Sequence, residues 1–227
     1  NLNFSSFQFI SCNLTSFFLF IVFYVTFLYS EEYRVNKTIY DMRVYKDFLT
    51  LDSDLNLIEN QELRLCDYYI ASSFRPYCGK NQMLDYLSID VLEKVLEAGA
   101  RALWLDIFNS DMTIHAEPVL SVGKNKGNWT YSLNFVKFED AIKKIAETAF
   151  NPGKVNNYND PLILVLNLNV QDNVFTINKV KDILIKHLRT KLLPPRYGYA
   201  NKNIGHIKMK ELMRKIIIIT NKMYKNS

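Results

Sequence analysis

LEAGARALWLDIFN, residues 96–109, is where the fold of this chain becomes readable. A helical pattern runs into Gly99, and two residues later an almost unbroken aliphatic run, RALWLDIF (101–108), begins. A run of that length next to a helix is the mark of a strand covered on both faces, and strands of that kind belong to parallel sheets. The helix itself is SIDVLEKVLEAG (88–99), with Ser88 suited to cap its start and Gly99 to end it.

Working outward, the same alternation repeats. AEPVLSV (116–122) reads as an extended segment returning from the strand. Then come a helix KFEDAIKKIAETAF (137–150), a strand PLILVLNLN (161–169), a helix TINKVKDILIKHLRTKL (176–192) and a last strand KIIIIT (215–220). Upstream, CDYYIASSF (66–74) reads as the first strand. Four aliphatic strands alternating with helices predict an α/β fold, a parallel sheet or barrel. In such folds ligands gather at the C-terminal ends of the strands. Here those ends are Ser72 to Arg75, Asp106 to Asn109, Asn167 to Asn169, and Thr220 to Lys222.

Composition narrows the classes. The 227 residues are 48% hydrophobic and 22% charged, ordinary values for a globular domain. The net charge of +5 is mild, and the basic residues fall in ones and twos, so no nucleic-acid partner is expected. Cys12, Cys66 and Cys78 show neither a disulfide framework nor metal-ligand spacing. Four N-x-[ST] sequons, at Asn3, Asn13, Asn36 and Asn128, say little about compartment in a chain so rich in Asn.

Residues 1–30 carry no charge, and the 23 residues from Phe7 to Tyr29 could span a bilayer core as a helix. Three readings stand: an uncleaved membrane anchor, a signal peptide, or an upstream segment that is not translated, the first Met being Met42. If the anchor is real, Arg34, Lys37, Arg43 and Lys46 on its C-terminal side favour a cytoplasmic main domain; without residues 1–41 the protein would be soluble. Residues 31–62 read as a linker with room for a short helix, leaving 63–227 as the main domain.

Several motifs then coincide in order. DYYIASSFRPY, LEAGARALWLDIFN, EPVLSVGK, DPLILVLNLN and MKELMRKIIIITNK resemble the X region of phosphatidylinositol-specific phospholipase C over about residues 63–222. The opening and tail look still closer to the divergent phospholipase-C-like proteins of large DNA viruses. The resemblance implies a TIM-like (β/α) barrel, of which this chain carries the first half, and phosphodiester cleavage of an inositol phospholipid. It also implies two catalytic histidines and a calcium ion held by one Asn and three carboxylates.

Carried over position by position, most of that machinery is missing. The histidine positions are Phe74 and Val122, which cannot exchange a proton. The calcium positions are Arg75, Trp104, Asp106 and Asn167, so only Asp106 keeps a carboxylate and no bound metal is expected. Positions that would contact substrate phosphate are Ile219 and Asn221, leaving Lys222 as a shifted candidate. Arg75 and Lys222 are thus the candidate phosphate-binding residues. Arg75 either stands in for the cation, through bidentate hydrogen bonds to a phosphodiester, or closes the site by pairing with Asp106. Phe74 and Trp104 read either as an apolar ridge for lipid or as barrel filling. His115, His187 and His206 fall on no matched position.

The expectation is therefore a membrane-anchored phospholipase-C-like phosphodiesterase fold, catalytically degenerate, that binds a phospholipid or its headgroup. The alternative is a non-enzymatic interaction scaffold. A half-barrel leaves a sheet edge exposed, so a protein partner covering that edge is also expected.

Overall fold

The computed structural model describes residues 3–47, 63–81, 83–123, 131–198 and 203–221. Helix α1 (Asn3–Asp41) runs unbroken for 39 residues and tightens into a 3-10 segment at Met42–Asp47. Among the described residues it is the one helix long and apolar enough to cross a membrane. Its apolar side chains, such as Phe17, Phe20 and Phe23, stand exposed.

Within the segment read as a linker with room for a short helix, residues 31–41 continue α1. No Pro or Gly interrupts 31–47, and the helix gains partners on the domain. Arg34 Nη1 donates to the Leu84 carbonyl (3.1 Å) and sits 3.6 Å from the Asp85 carboxylate. Asn134 Nδ2 donates to Glu31 Oε1 at 3.4 Å. Thr38 lies so close to Gly79 that a Cβ there would meet its Oγ1 at 3.1 Å. Residues 48–62 lie outside the described ones.

Six strands form one sheet. Four are parallel: β1 (Ser72–Phe74), β2 (Ala102–Asn109), β5 (Leu162–Leu168) and β6 (Ile216–Thr220). β3 (Pro118–Leu120) and β4 (Val136–Lys137) add an antiparallel flap. One edge of β2 is shared, since β1 pairs with its first half and β3 with its second, and its other edge pairs with β5. The outer edge of β6 meets the 191–193 segment only at Ile216.

The first strand is shorter than its sequence suggests. Leu65–Asp67 form a 3-10 turn, Tyr69 is fully exposed, and pairing starts only at Ser72. The reason is the partner: β2 begins at Ala102, and the Arg101 and Ala102 amides both donate to the Ala71 carbonyl, so among the described residues no strand pairs with residues 66–70.

Helices α2 (Ile89–Glu97), α3 (Phe138–Thr148) and α4 (Val174–Leu188) cover one face. Ser88 Oγ accepts from the Asp90 amide and Asn173 Oδ1 from the Thr176 amide, so both caps satisfy amides that the helices leave open. α2 ends before Gly99, whose φ of 95° turns the chain toward β2. Phe138, Ala141, Ile142 and Ile145 recur at helical spacing and pack under the sheet with Leu103, Leu105, Leu162 and Leu164. On the opposite face a smaller core, including Leu65, Tyr197, Leu212 of the short helix α5 (Met209–Leu212) and Ile217, plugs the N-terminal ends of β5 and β6. That leaves the C-terminal half of this inner face for a site.

A closed carboxylate cluster at the strand ends

Register builds the inner face in rows. Phe74 lies opposite Trp104, Trp104 opposite Val165, and Val165 opposite Ile219. One step toward the C-terminal ends, Asp106 lies opposite Asn167. An apolar row therefore sits directly beneath a polar one, because side chains two apart on a strand share a face.

Asp106 is the centre of the polar row and is almost wholly buried. Its Oδ2 accepts from Arg75 Nε at 2.6 Å. Its Oδ1 accepts from Trp104 Nε1 at 3.0 Å and from Asn167 Nδ2 at 2.8 Å. Asn167 is held in turn: Asn221 Nδ2 donates to its Oδ1, while Asn221 Oδ1 accepts from the Leu168 amide. A buried carboxylate needs such partners, and here both oxygens have them.

Arg75 reaches Asp106 through a conformation that few residues adopt. Its φ is 52°, the left-handed region, which costs roughly 1–2 kcal/mol for a residue with a Cβ. The turn is held by the Arg75 amide donating to Trp104 O and its carbonyl accepting from the Cys78 amide. The guanidinium also lies over the Phe74 ring at 4.6 Å, and Phe74 tilts against Trp104 with centroids 5.9 Å apart.

Tyr77, two residues on and fully buried, was not among the residues singled out by sequence. Its hydroxyl accepts from the Asp106 amide (3.2 Å) and donates to the Ser121 carbonyl (3.1 Å). Burial, and then the neighbouring Asp106 charge, push its pKa well up, so it stays a neutral donor. The signal that could have found it is its place in SSFRPY: an aromatic hydroxyl two residues after Arg75 at the strand end. Cys78 beside it is also a neutral thiol, pushed up to about 12 chiefly by burial.

The structure thus brings Phe74, Arg75, Trp104, Asp106 and Asn167 together. It leaves Val122 apart, 1% exposed with its side chain in the helix-side core. Lys222 lies outside the described residues. His115 packs edge-on against Phe175, His187 bonds Glu139, and His206 approaches Arg64, so none of the three bonds to the cluster. Among the described residues no three His, Cys, Asp or Glu side chains are grouped to hold a metal.

A family model described as phosphatidylinositol-specific phospholipase C, X domain, matches residues 61–222. The 1-phosphatidylinositol 4,5-bisphosphate phosphodiesterases eta-1 of Mus musculus and Homo sapiens are each 30% identical over 93 residues, 40% of this chain and 5% of theirs. Crystal structures of L. pealei PLC21 and S. officinalis PLC21 align with TM-scores of 0.59 and 0.60 at 24% and 25% identity. Each alignment covers 74% of this chain and 20% of the PLC21 chain. This chain therefore spans only a small part of the length of these relatives.

Proposed function

The chain belongs to the phosphatidylinositol-specific phospholipase C X-domain family, and from that premise we propose that its site holds the phosphate of an inositol-lipid headgroup at a membrane without cleaving it. One observation carries the reading: the Asp106 carboxylate is already neutralised by Arg75 and saturated by Trp104 and Asn167. A guanidinium takes the place that a divalent cation would need, and the residues do not fit calcium. Seating the ion would mean breaking the Arg75 pair and finding further oxygen ligands, since calcium takes about six to eight.

Turnover also needs proton transfer. A positioned acid and base each contribute about 10²–10⁴ in rate. By family resemblance their positions are Phe74 and Val122, and no histidine replaces them among the groups bonded to the cluster. What Arg75 retains is a planar cation on a stacked aromatic, suited to a phosphodiester. The membrane role rests on α1, whose exposed apolar length lies directly N-terminal to the helix segment docked on the domain.

The test is the full chain reconstituted in phosphatidylcholine vesicles doped with phosphatidylinositol. The expected result is no headgroup release with or without calcium, together with inositol 1-phosphate binding that Arg75→Ala weakens about tenfold. Calcium-dependent release lost in Asp106→Ala would overturn the reading. A second reading, a non-enzymatic scaffold, is favoured by the apolar row itself: Phe74, Trp104 and Ile219 are 40–50% exposed. Its outcome in the same experiment is no binding of inositol phosphate at all.

A further inference from the structure

Helix α1 leaves no slack between its apolar stretch and the domain. The uncharged residues end at Ser30, and the helix is bonded to the domain from the next residue on: Asn134 Nδ2 donates to Glu31 Oε1, and Arg34 Nη1 donates to the Leu84 carbonyl. Because α1 is unbroken through this junction, the rise from Ser30 to Arg34 is about 6 Å along one stiff axis. A headgroup layer is about 5–7 Å deep on each side of the hydrocarbon core. With the apolar span ending at Ser30, the loops that carry Leu84 and Asn134 fall at the depth of that layer.

The direction of α1 decides which end of the domain meets it. Residues 31–34 touch Leu84, before the start of α2, and Asn134 beside it. Met42 and Tyr45 instead face the same cleft as Val91 and Val95, farther along α2. Since α2 starts after the C-terminal end of β1 and returns toward the start of β2, α1 runs beside it in the same sense. The apolar length of α1 therefore extends past the C-terminal ends of the strands, the end at which the Asp106 cluster sits.

What the two loops present there is apolar. Met83 and Leu84 are 57% and 66% exposed, and Leu133 and Phe135 are 45% and 38% exposed. Backbone bonds brace the loops into one patch: the Leu84 amide donates to the Tyr131 carbonyl (2.7 Å), and the Leu133 amide donates to the Asp85 carbonyl (3.1 Å). Leu84 holds a φ of 53°, a left-handed conformation that is rare for a residue with a Cβ. Such conformations gather at functional sites, yet Leu84 belongs to neither hydrophobic core and to no part of the Asp106 cluster.

We propose that Met83, Leu84, Leu133 and Phe135 form a membrane-contact patch, seated in the headgroup layer of the bilayer that α1 crosses, so that the helix junction holds the domain with its Asp106 end toward the lipid. The proposal rests on the reading of α1 as a membrane span. Lipid is the occupant because the patch begins where the exposed apolar surface of α1 ends, with no linker to hold it away from the bilayer. The α1 side of this arrangement lies outside residues 61–222, the part that matches the family.

The test uses the full chain in phosphatidylcholine nanodiscs, with the photo-crosslinker p-benzoylphenylalanine placed in turn at Leu84, Phe135, Phe20 and Ile185, and lipid adducts measured by mass spectrometry after irradiation. Phe20 is exposed within the apolar stretch of α1, and Ile185 is exposed near the far end of α4. The expected result is lipid adducts at Phe20, Leu84 and Phe135, each at least about tenfold above Ile185. Arg34→Ala, which frees the helix from Leu84 and Asp85, should lower the adduct at Leu84 several-fold and leave Phe20 unchanged. All four probes replace exposed side chains, and Leu84 and Phe135 read the patch independently, so misfolding at one leaves the other. Lipid at Phe20 with only the Ile185 level at Leu84 and Phe135 would overturn the patch while the membrane reading stands. No lipid at Phe20 would overturn the span and the patch with it. Adducts to a second copy of the chain in place of lipid, or a Leu84 adduct indifferent to Arg34→Ala, would also overturn the proposal. Phosphate binding at Arg75 is read by none of these probes, so the two proposals fail separately.

Discussion

On β2, Leu103, Leu105 and Ile107 point into the helix-covered core at 0% exposure, while Trp104 and Asp106 between them face the other way. β5 repeats the pattern, with Leu162, Leu164 and Leu166 buried and Val165 and Asn167 on the inner side. One backbone thus carries two surfaces under different rules. The helix side asks only for aliphatic volume, which several residue types supply. The inner side fixes particular atoms at hydrogen-bond distance, so replacing one residue strands another. A fold can therefore persist on the first surface while particular atoms on the second change.

The sharpest way to break this contrast is to cut into each face and compare unfolding of the full chain in detergent. Leu105→Ala should cost the most, about 4 kcal/mol, because it leaves a cavity that α2 and α3 cannot close. Arg75→Ala should cost about 3 kcal/mol, since it leaves a buried carboxylate with only two neutral donors. Arg75→Gly should cost about 1 kcal/mol less than Arg75→Ala, because glycine takes a φ of 52° without strain. Equal costs for the Ala and Gly variants would mean that the turn stores no backbone strain.

A smaller effect tests the support beneath the cluster. Tyr77→Phe removes the acceptor for the buried Asp106 amide and should cost about 1–3 kcal/mol with no change in volume. Stability unaffected by this change would show that the hydroxyl does not position Asp106.

Legibility in the sequence followed the same division. The strands at 101–108, 161–169 and 215–220 were readable to within a residue or so because burial on both faces writes itself as aliphatic runs. Residues 66–71 misled because CDYYI has strand composition, whereas pairing depends on a partner that begins only at Ala102. For the site, chain position at strand ends picked out Arg75, Asp106 and Asn167, while Trp104 came only from the family resemblance. Tyr77 escaped because its role is a hydrogen bond to backbone, at which only its place in SSFRPY hinted. The docking of Arg34 on Leu84 and Asp85, fifty residues away, was equally invisible to local reading.

The smallest expected effect lies outside both faces, on the solvent side of the helix layer, and it is read through pH. Glu139 at the start of α3 accepts from Lys186 and is paired with His187, both near the end of α4. Hydrogen bonds to Lys186 and then His187 lower its pKa from 4.5 to about 2. A carboxylate whose pKa is depressed in the folded state stabilises that state above its unfolded pKa and loses the contribution as pH falls. The wild-type chain should thus melt slightly above Glu139→Gln at neutral pH. The gap should begin to close below pH 4.5 and be gone by about pH 2. Because the pair is exposed, salt should shrink it as well. A gap that is constant across this range would mean that Glu139 joins α3 to α4 by packing alone. The contact between α3 and α4 would then owe its stability to the aliphatic face that it buries, with no electrostatic share from this pair.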